Sequence, residues 1–391
     1  MKKENSSVAT PFWRDKRIVP ILLQLLFVIA LIFSIYFLLS NTLSGLNQLG
    51  MQIGFDFLSN TSGFTISESI LNFQSTDTYG KAILVGILNT LKVAFFGIIL
   101  ATIIGIIIGI ARLSKNWLVS KLAFGYVEIF RNTPLLVQMF IWYFAVFLPM
   151  PQIEDALKVG PFYLTNRGTA IPWFEANSNS LLWGIIAAAG IILAIISYKL
   201  LMKKEVESGK RRYPIISAFG ILIIALGAAF ITTQSGPFQV IAPSIEGKSF
   251  IGGNTLSPGF SAVLLGLVIY TSTFIAEIIR AGIMGVSNGQ KEATKALGLK
   301  SSTSLRLVVF PQAIRIIIPP LTSQYLNLTK NSSLAVAIGY QDIVSVGNTI
   351  MNQTGRAIEA IIIMIAVYLT ISLLTSLFMN IFNKRMQLVE R

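Results

Sequence analysis

The residue types that carry most enzyme chemistry are missing from this sequence: its 391 residues include no cysteine and no histidine. That removes thiol nucleophiles, disulfides, zinc sites and imidazole acid–base catalysis. No Asp/Glu cluster has a spacing suited to a metal ion, so enzyme chemistry is not expected. One apparent exception is Ala242-Pro243-Ser244-Ile245-Glu246-Gly247-Lys248-Ser249, which fits a permissive phosphate-loop pattern. A phosphate cradle needs a glycine-rich turn after a buried strand and before a helix. Here Pro243 intervenes, no helical sequence follows, and the segment falls in an expected external loop. The match is read as chance, and the chain is expected not to hydrolyse ATP.

What remains is charge set against apolar sequence, where centring one charge in hydrocarbon costs at least about 2.5–3.5 kcal/mol. Glu277 and Arg280 lie three apart on one helical face at the end of an apolar run, as a local ion pair, a gate element or a link into the following loop. Glu128 and Arg131 repeat that spacing. Lys330 sits inside another apolar run beside Asn331, Ser332 and Ser333, where irregular backbone is tolerated only around a cavity. Residues 280–312 are composed unlike a linker. Glu292-Ala293-Thr294-Lys295-Ala296-Leu297 favours helix, and Gly298 is a natural stop. A second helical run, about Ser302–Val309, precedes Pro311. Two short helices at a sharp angle would project as a knob, either as plain basic surface or as a docking element for a soluble partner.

The elements that hold these residues are apolar runs. The chain is 53% hydrophobic and 12% charged, whereas soluble domains carry about 25% charged residues. An all-α polytopic membrane protein with about eight transmembrane helices is expected. The spans are Ile18–Ser40, a long run Ile83–Ala111, one within Glu128–Leu148, Leu181–Leu201, Ile215–Ile231, Phe260–Ile279, about Ala313–Ala337 and Ile358–Ile381. Span seven is expected to be interrupted at Pro319-Pro320 and at Lys330–Ser333. The glycines Gly86, Gly97, Gly105 and Gly109, with Ala101, give span two a face for close packing on another span or subunit.

The net charge of +14 comes from 31 Lys+Arg against 17 Asp+Glu. These cations cluster between apolar runs rather than forming one exposed face, so nucleic-acid binding is not expected. Only Lys81, Lys158, Arg167, Lys248 and Arg356 fall in expected external segments. The asymmetry places both termini, beginning with Lys2, Lys3, Arg14, Lys16 and Arg17, in the cytoplasm.

Glu292-Ala293-Thr294 with Gly298 and Pro311 resembles the Glu-Ala-Ala loop of ABC importer permeases, with Thr294 in place of the second Ala. Tyr270-Thr271-Ser272, Ala276–Ile283, Phe130–Gln138 and Gln324–Leu334 resemble the polar amino-acid branch of that family. The resemblance covers about 83–149 and 257–385, a permease core of five spans. The added first span and the insert resemble the longer permease of general L-amino-acid importers. The implied organisation is 1–82 as an extra transmembrane helix and external loop, 83–149 as the first segment of the permease core, 150–256 as an inserted helix pair with external loops, and 257–391 as the second segment of the core, containing the cytoplasmic loop 280–312.

That family implies an importer of L-amino acids across a bacterial inner membrane. Its loop, here Gln290, Glu292, Ala293, Thr294, Gly298 and Pro311, would seat in a partner ATPase subunit that hydrolyses ATP. A second permease subunit, a periplasmic amino-acid-binding protein and the lipid bilayer are the other implied partners. No cofactor is expected on this chain. An α-amino acid needs a cation or helix N-terminus for its carboxylate and acceptors for its ammonium. Arg131, Asn132, Gln138, Glu277, Lys330, Asn331 and Ser332 are the candidates for a substrate path. The alternative is an ion-coupled secondary amino-acid transporter, which would usually show internal repeats and buried carboxylates in several spans; neither is apparent.

Overall fold

A computed structural model describes residues 18–48 and 54–386. The expected N-terminal cations Lys2, Lys3, Arg14, Lys16 and Arg17 lie outside the described residues. Seven described helices are long and apolar enough to cross a membrane. Helix α1, Ile18–Gln48, exposes Leu26, Phe27, Phe33 and Tyr36. In water such a face would be strongly disfavoured; in hydrocarbon it is the ordinary solvent contact.

Helix α2, Tyr79–Arg112, starts where the Thr78 hydroxyl accepts the Lys81 N–H at 3.3 Å. Helix α3, Trp117–Asn132, is capped by the Asn116 side chain, which accepts from Leu118 N and Val119 N. The chain then breaks. Pro134 disfavours helical geometry at the residue before it, and Thr133 is extended at φ −92°, ψ 125°. Helix α4, Leu135–Phe140, restarts after Pro134 and widens into a π-helical stretch, Ile141–Phe147. The third expected span is therefore two helical pieces, and the full-length spans number seven among the described residues.

Helix α5, Ser180–Ser208, and helix α6, Pro214–Thr233, pack on each other as a hairpin. Helix α7, Pro258–Met284, is capped by Ser257 and packs along α2. The small-residue face of α2 meets other spans of the same chain. A Cβ at Gly105 would lie 2.5 Å from Ile275 Cγ2, and one at Gly109 would lie 2.7 Å from the Ala276 carbonyl oxygen. Val93, Ala101, Leu267, Ile275 and Leu328 form the buried centre between α2, α7 and the following spans.

Beyond α7 come α8, Asn288–Ala296, and α9, Ser301–Ser304, which runs on through a π turn, Leu305–Val309, into α10, Phe310–Asn331. The helix continues through Pro319 and Pro320 where an interruption was expected; spans tolerate lost backbone bonds when neighbouring groups compensate. It tightens at Ser332–Ile338 into 3-10 geometry. Helices α11, Ile343–Thr354, and α12, Ala357–Met386, complete the chain.

The helices account for the membrane region, but the expected external segments also hold short strands. These are β1 Leu157–Val159, β2 Phe162–Thr165, β3 Gly168–Ile171, β4 Trp173–Ala176, β5 Phe238–Ile241, β6 Ser244–Glu246, β7 Ser249–Ile251 and β8 Asn254–Leu256. One antiparallel sheet has the order β1-β2-β3-β8, while β4 pairs with β5 and β6 with β7. Gly168 is required for the closure of β3 on β8. Its φ is +138°, and a Cβ there would lie 2.4 Å from the Leu256 carbonyl oxygen.

Candidate functional site

The phosphate-loop lookalike is a β-hairpin. Ser244–Glu246 and Ser249–Ile251 pair across Gly247, at φ +58°, and no helix follows. A phosphate cradle has a strand–loop–helix order, so the geometry of this segment differs from one.

Residues 280–312 hold the end of α7, the short helix α8 with a fixed end, and the start of the run into α10. At the C-terminus of α8 the Leu299 N–H bonds the Thr294 carbonyl at 3.1 Å, and the Gly298 N–H bonds that of Lys295 at 2.9 Å. This double closure needs a left-handed residue, and Gly298 supplies it at φ +67°. Thr294 is buried, and its hydroxyl lies 2.6 Å from that of Ser304, tying α8 to the start of the next helix. Gln312 donates to Gln290 at 3.3 Å. Glu292, Ala293 and Leu297 remain exposed.

The expected second short helix is not separate from span seven. Pro311 would clash with the carbonyl four residues back in a regular α-helix. The π turn at 305–309 widens the helix there, so Ser302–Ile338 is one long run. The Thr294–Ser304 contact and the π turn connect α8 to α10.

Glu277 is more heavily engaged than its sequence neighbours imply. It pairs with Arg280 at 3.0 Å and also with Arg112, joining the end of α2 to α7. Arg112 additionally stacks over the Phe124 ring at 5.1 Å. The expected Glu128–Arg131 pair does not form. Arg131 lies over Phe274 at 5.4 Å, and Glu128 accepts from Asn132 at 3.2 Å. Ring contact and amide contact take the place of the ion pair.

Two breaks in regular helix are brought together. Helix α4, just after Pro134, packs against the 3-10 stretch Ser332–Ile338. Gln138 is buried, and its amide donates to the carbonyls of Phe130 at 2.7 Å and Thr133 at 3.0 Å. It thereby satisfies orphan carbonyls at the end of α3, while its own Oε1 has no partner. Ser332 is buried with its hydroxyl on the Thr329 carbonyl at 2.7 Å. Lys330 is exposed, with no carboxylate partner among the described residues, and Asn331 is half-buried. Glu277 lies apart, held between Arg112 and Arg280.

A polar cluster around Asn89 and Lys92, in the N-terminal half of α2, was not expected from the sequence. Glu68 pairs with Lys92 and accepts from the Ser257 hydroxyl. Asn89 donates to the backbone carbonyls of Glu68 at 2.8 Å and Gln341 at 2.9 Å. Asp342 caps α11 by accepting from Val344 N and Ser345 N, and it receives the Tyr368 hydroxyl at 3.3 Å. Burial pushes its carboxyl up to about 7, against the lowering effect of these bonds. The one available signal was Lys92, a cation at the edge of an apolar run that must find a partner.

Comparison with known proteins adds a family pattern. The family model described as "Binding-protein-dependent transport system inner membrane component" matches residues 213–388. Over 379 residues the chain is 46% identical to "General L-amino acid transport system permease protein AapQ" of Rhizobium johnstonii, covering 96% of this chain and 94% of that protein. It is 44% identical to "Putative amino-acid ABC transporter permease protein YhdX" of Escherichia coli, over 95% of this chain and 94% of that protein. It is 37% identical to "Glutamate/glutamine/aspartate/asparagine transport system permease protein BztB" of Rhodobacter capsulatus, over 96% of each.

Proposed function

Because the chain belongs to the inner-membrane permeases of binding-protein-dependent ABC importers, we propose that it forms one half of an L-amino-acid pore driven by a partner ATPase. The observation that carries this reading is the link from the exposed face of α8, through Thr294–Ser304, into the helical run that continues from Ser304 to Asn331. A nucleotide-driven movement of a subunit seated on Glu292, Ala293 and Leu297 would be delivered into span seven. ATP is bound and hydrolysed by that partner, and this chain holds no cofactor.

The two helix breaks that meet at α4 and Ser332 support a substrate path there. Half-helix ends and unpaired polar groups suit a zwitterion at membrane depth. Lys330 is the cation for a carboxylate, with Arg131 and Asn132 at the end of α3. Gln138, Asn331 and Ser332 supply polar contacts, and Glu277 holds the coupling end of the path closed against Arg112. A periplasmic binding protein delivers the solute, and a second permease completes the pore. The cation asymmetry favours both termini in the cytoplasm, with the broken α3–α4 segment completing an eighth crossing.

The test is ATP-dependent uptake by the assembled, reconstituted complex with its binding protein. Glutamate, glutamine, leucine and arginine are compared with a sugar and a peptide. Uptake of at least one amino acid is expected, and it should be lost in Gly298→Asp although that variant reaches the membrane. Transport of the sugar or peptide alone would overturn the amino-acid assignment. Full transport by a well-expressed Gly298→Asp variant would overturn the coupling role.

A further inference from the structure

A cavity of about 640 Å³ lies between the insert and the core, beside Lys92 and Phe96 of α2. Lys92 sits 20 residues before Arg112 on the same helix, about 30 Å away at 1.5 Å per residue. Loop residues 67–70 form one wall, Lys92 and Phe96 of α2 another, Phe260 of α7 a third, and Trp173 with strand β8 the roof. Pockets that hold small molecules commonly measure about 300–1,000 Å³ and are mainly apolar with a few placed polar groups. This one fits that description.

Its charged groups are one carboxylate and one ammonium, beside the neutral polar side chains of Ser67, Ser69, Asn254 and Thr255. The Glu68 and Lys92 side chains are only 11% and 13% exposed, and they pair with each other. Each is also held from the protein side. Ser257, the cap of α7, donates to Glu68, and Asn89 fixes the Glu68 backbone at 2.8 Å. Lys92 Nζ lies 4.2 Å from the centre of the Phe260 ring. The charges are thus fixed in place and adjacent to a cavity far larger than either needs.

We propose that this cavity is a second amino-acid site, in which the ligand carboxylate meets Lys92 and the ligand ammonium meets Glu68. It rests on the amino-acid importer reading above. A ligand with one charge would take one partner and leave the other buried and uncompensated, which is strongly unfavourable. A zwitterion replaces both halves of the internal pair at once. Phe96 and Trp173 then offer apolar surface to its side chain without selecting one chemistry. Because the roof comes from the insert and one wall from the 54–78 loop, the site depends on two segments outside the five-span core.

The assembled transporter, free of binding protein, is tested in phosphatidylglycerol/phosphatidylcholine nanodiscs by calorimetry and by Trp173 emission, with Trp173→Phe as the optical control. Glutamine should bind saturably. N-acetylglutamine, which lacks the ammonium, and glutamine methyl ester, which lacks the carboxylate, should each bind at least about tenfold more weakly. Lys92→Gln should lose binding to a similar degree. Ile70→Trp, at an exposed position of the rim, should obstruct entry while leaving the ion pair and the fold intact. Equal binding of either single-charge analogue, or undiminished binding in Ile70→Trp, overturns the site. So does a signal that requires phosphatidylethanolamine and ignores glutamine, which would assign the cavity to a lipid headgroup. A complex that imports glutamine with its binding protein but shows no receptor-free binding loses this site alone. A complex that imports no amino acid loses the reading beneath it.

Discussion

Asp342 shows how a single residue can couple stability to pH. Its carboxylate caps α11 and is fully buried against Tyr368, with the Tyr340 ring nearby and Glu68 acting on that tyrosine. Its folded value is raised from 3.8 to about 7. A raised carboxyl favours folding most below its unfolded value, and that contribution is lost as pH climbs from about 4 through about 7. Asn keeps the capping oxygen without the charge. Asp342→Asn should therefore show a flatter thermal stability between about pH 5 and about pH 8 than the parent, with its largest gain at the alkaline end. Asp342→Ala, which loses the cap, should be destabilised by about 0.5–2 kcal/mol at the acid end. A parent protein whose melting temperature rises over that interval, with Asn having no effect, would contradict the assignment.

Between elements, the α2–α7 contact is set by missing side chains. Gly105 and Gly109 let the two backbones approach until Cβ atoms would collide with Ile275 and the Ala276 carbonyl. Overpacking of this kind costs about 1–3 kcal/mol. Gly109→Ala should lower the melting temperature in detergent, whereas Gly125→Ala, where a Cβ meets nothing within 4 Å, should not. Equal effects at the two positions would mean that the close approach is not what holds these spans. The small-residue stripe was legible in the sequence because the spacing of Gly86, Gly97, Gly105 and Gly109 puts them on one helix face. Its partner was not, since nothing in the stripe distinguishes a span of the same chain from another subunit. The helical 291–298 segment and its Gly298 stop were equally legible, being local. The fusion of the second helical run with span seven was hidden because a proline normally signals a boundary, and only a π turn removes the clash.

For the whole molecule, the distribution of cations predicts which segments face which side of the membrane. Single cysteines at Ser178, Ser249 and Ser208 can be introduced into this cysteine-free chain. An impermeant maleimide added to intact spheroplasts should label positions 178 and 249 and leave 208 unlabelled until the membrane is opened. Labelling of 208 in sealed spheroplasts would reverse the orientation of the α5–α6 hairpin. The strands above that hairpin were missed because each has only three or four residues. Such segments carry no readable alternation, and β8 joins its sheet from more than eighty residues away in sequence.

The sequence alone determined the solvent, the approximate place of most spans and the family likeness, because these rest on composition, on run length against bilayer thickness and on short contiguous motifs. Hydrophobic length is a local quantity, and so is the match of Glu292-Ala293-Thr294 and Gly298 to a capped helix. Tertiary structure decided which charges are neighbours. Glu277 meets Arg112 from 165 residues away, Glu68 meets Lys92 across a loop, and Ser257 reaches Glu68 from 189 residues away. It also decided that the two broken helices face one another and that the insert roofs a cavity. Ion pairs and cavities depend on distances through space of a few ångströms, and no spacing along the chain encodes them until the helices have packed.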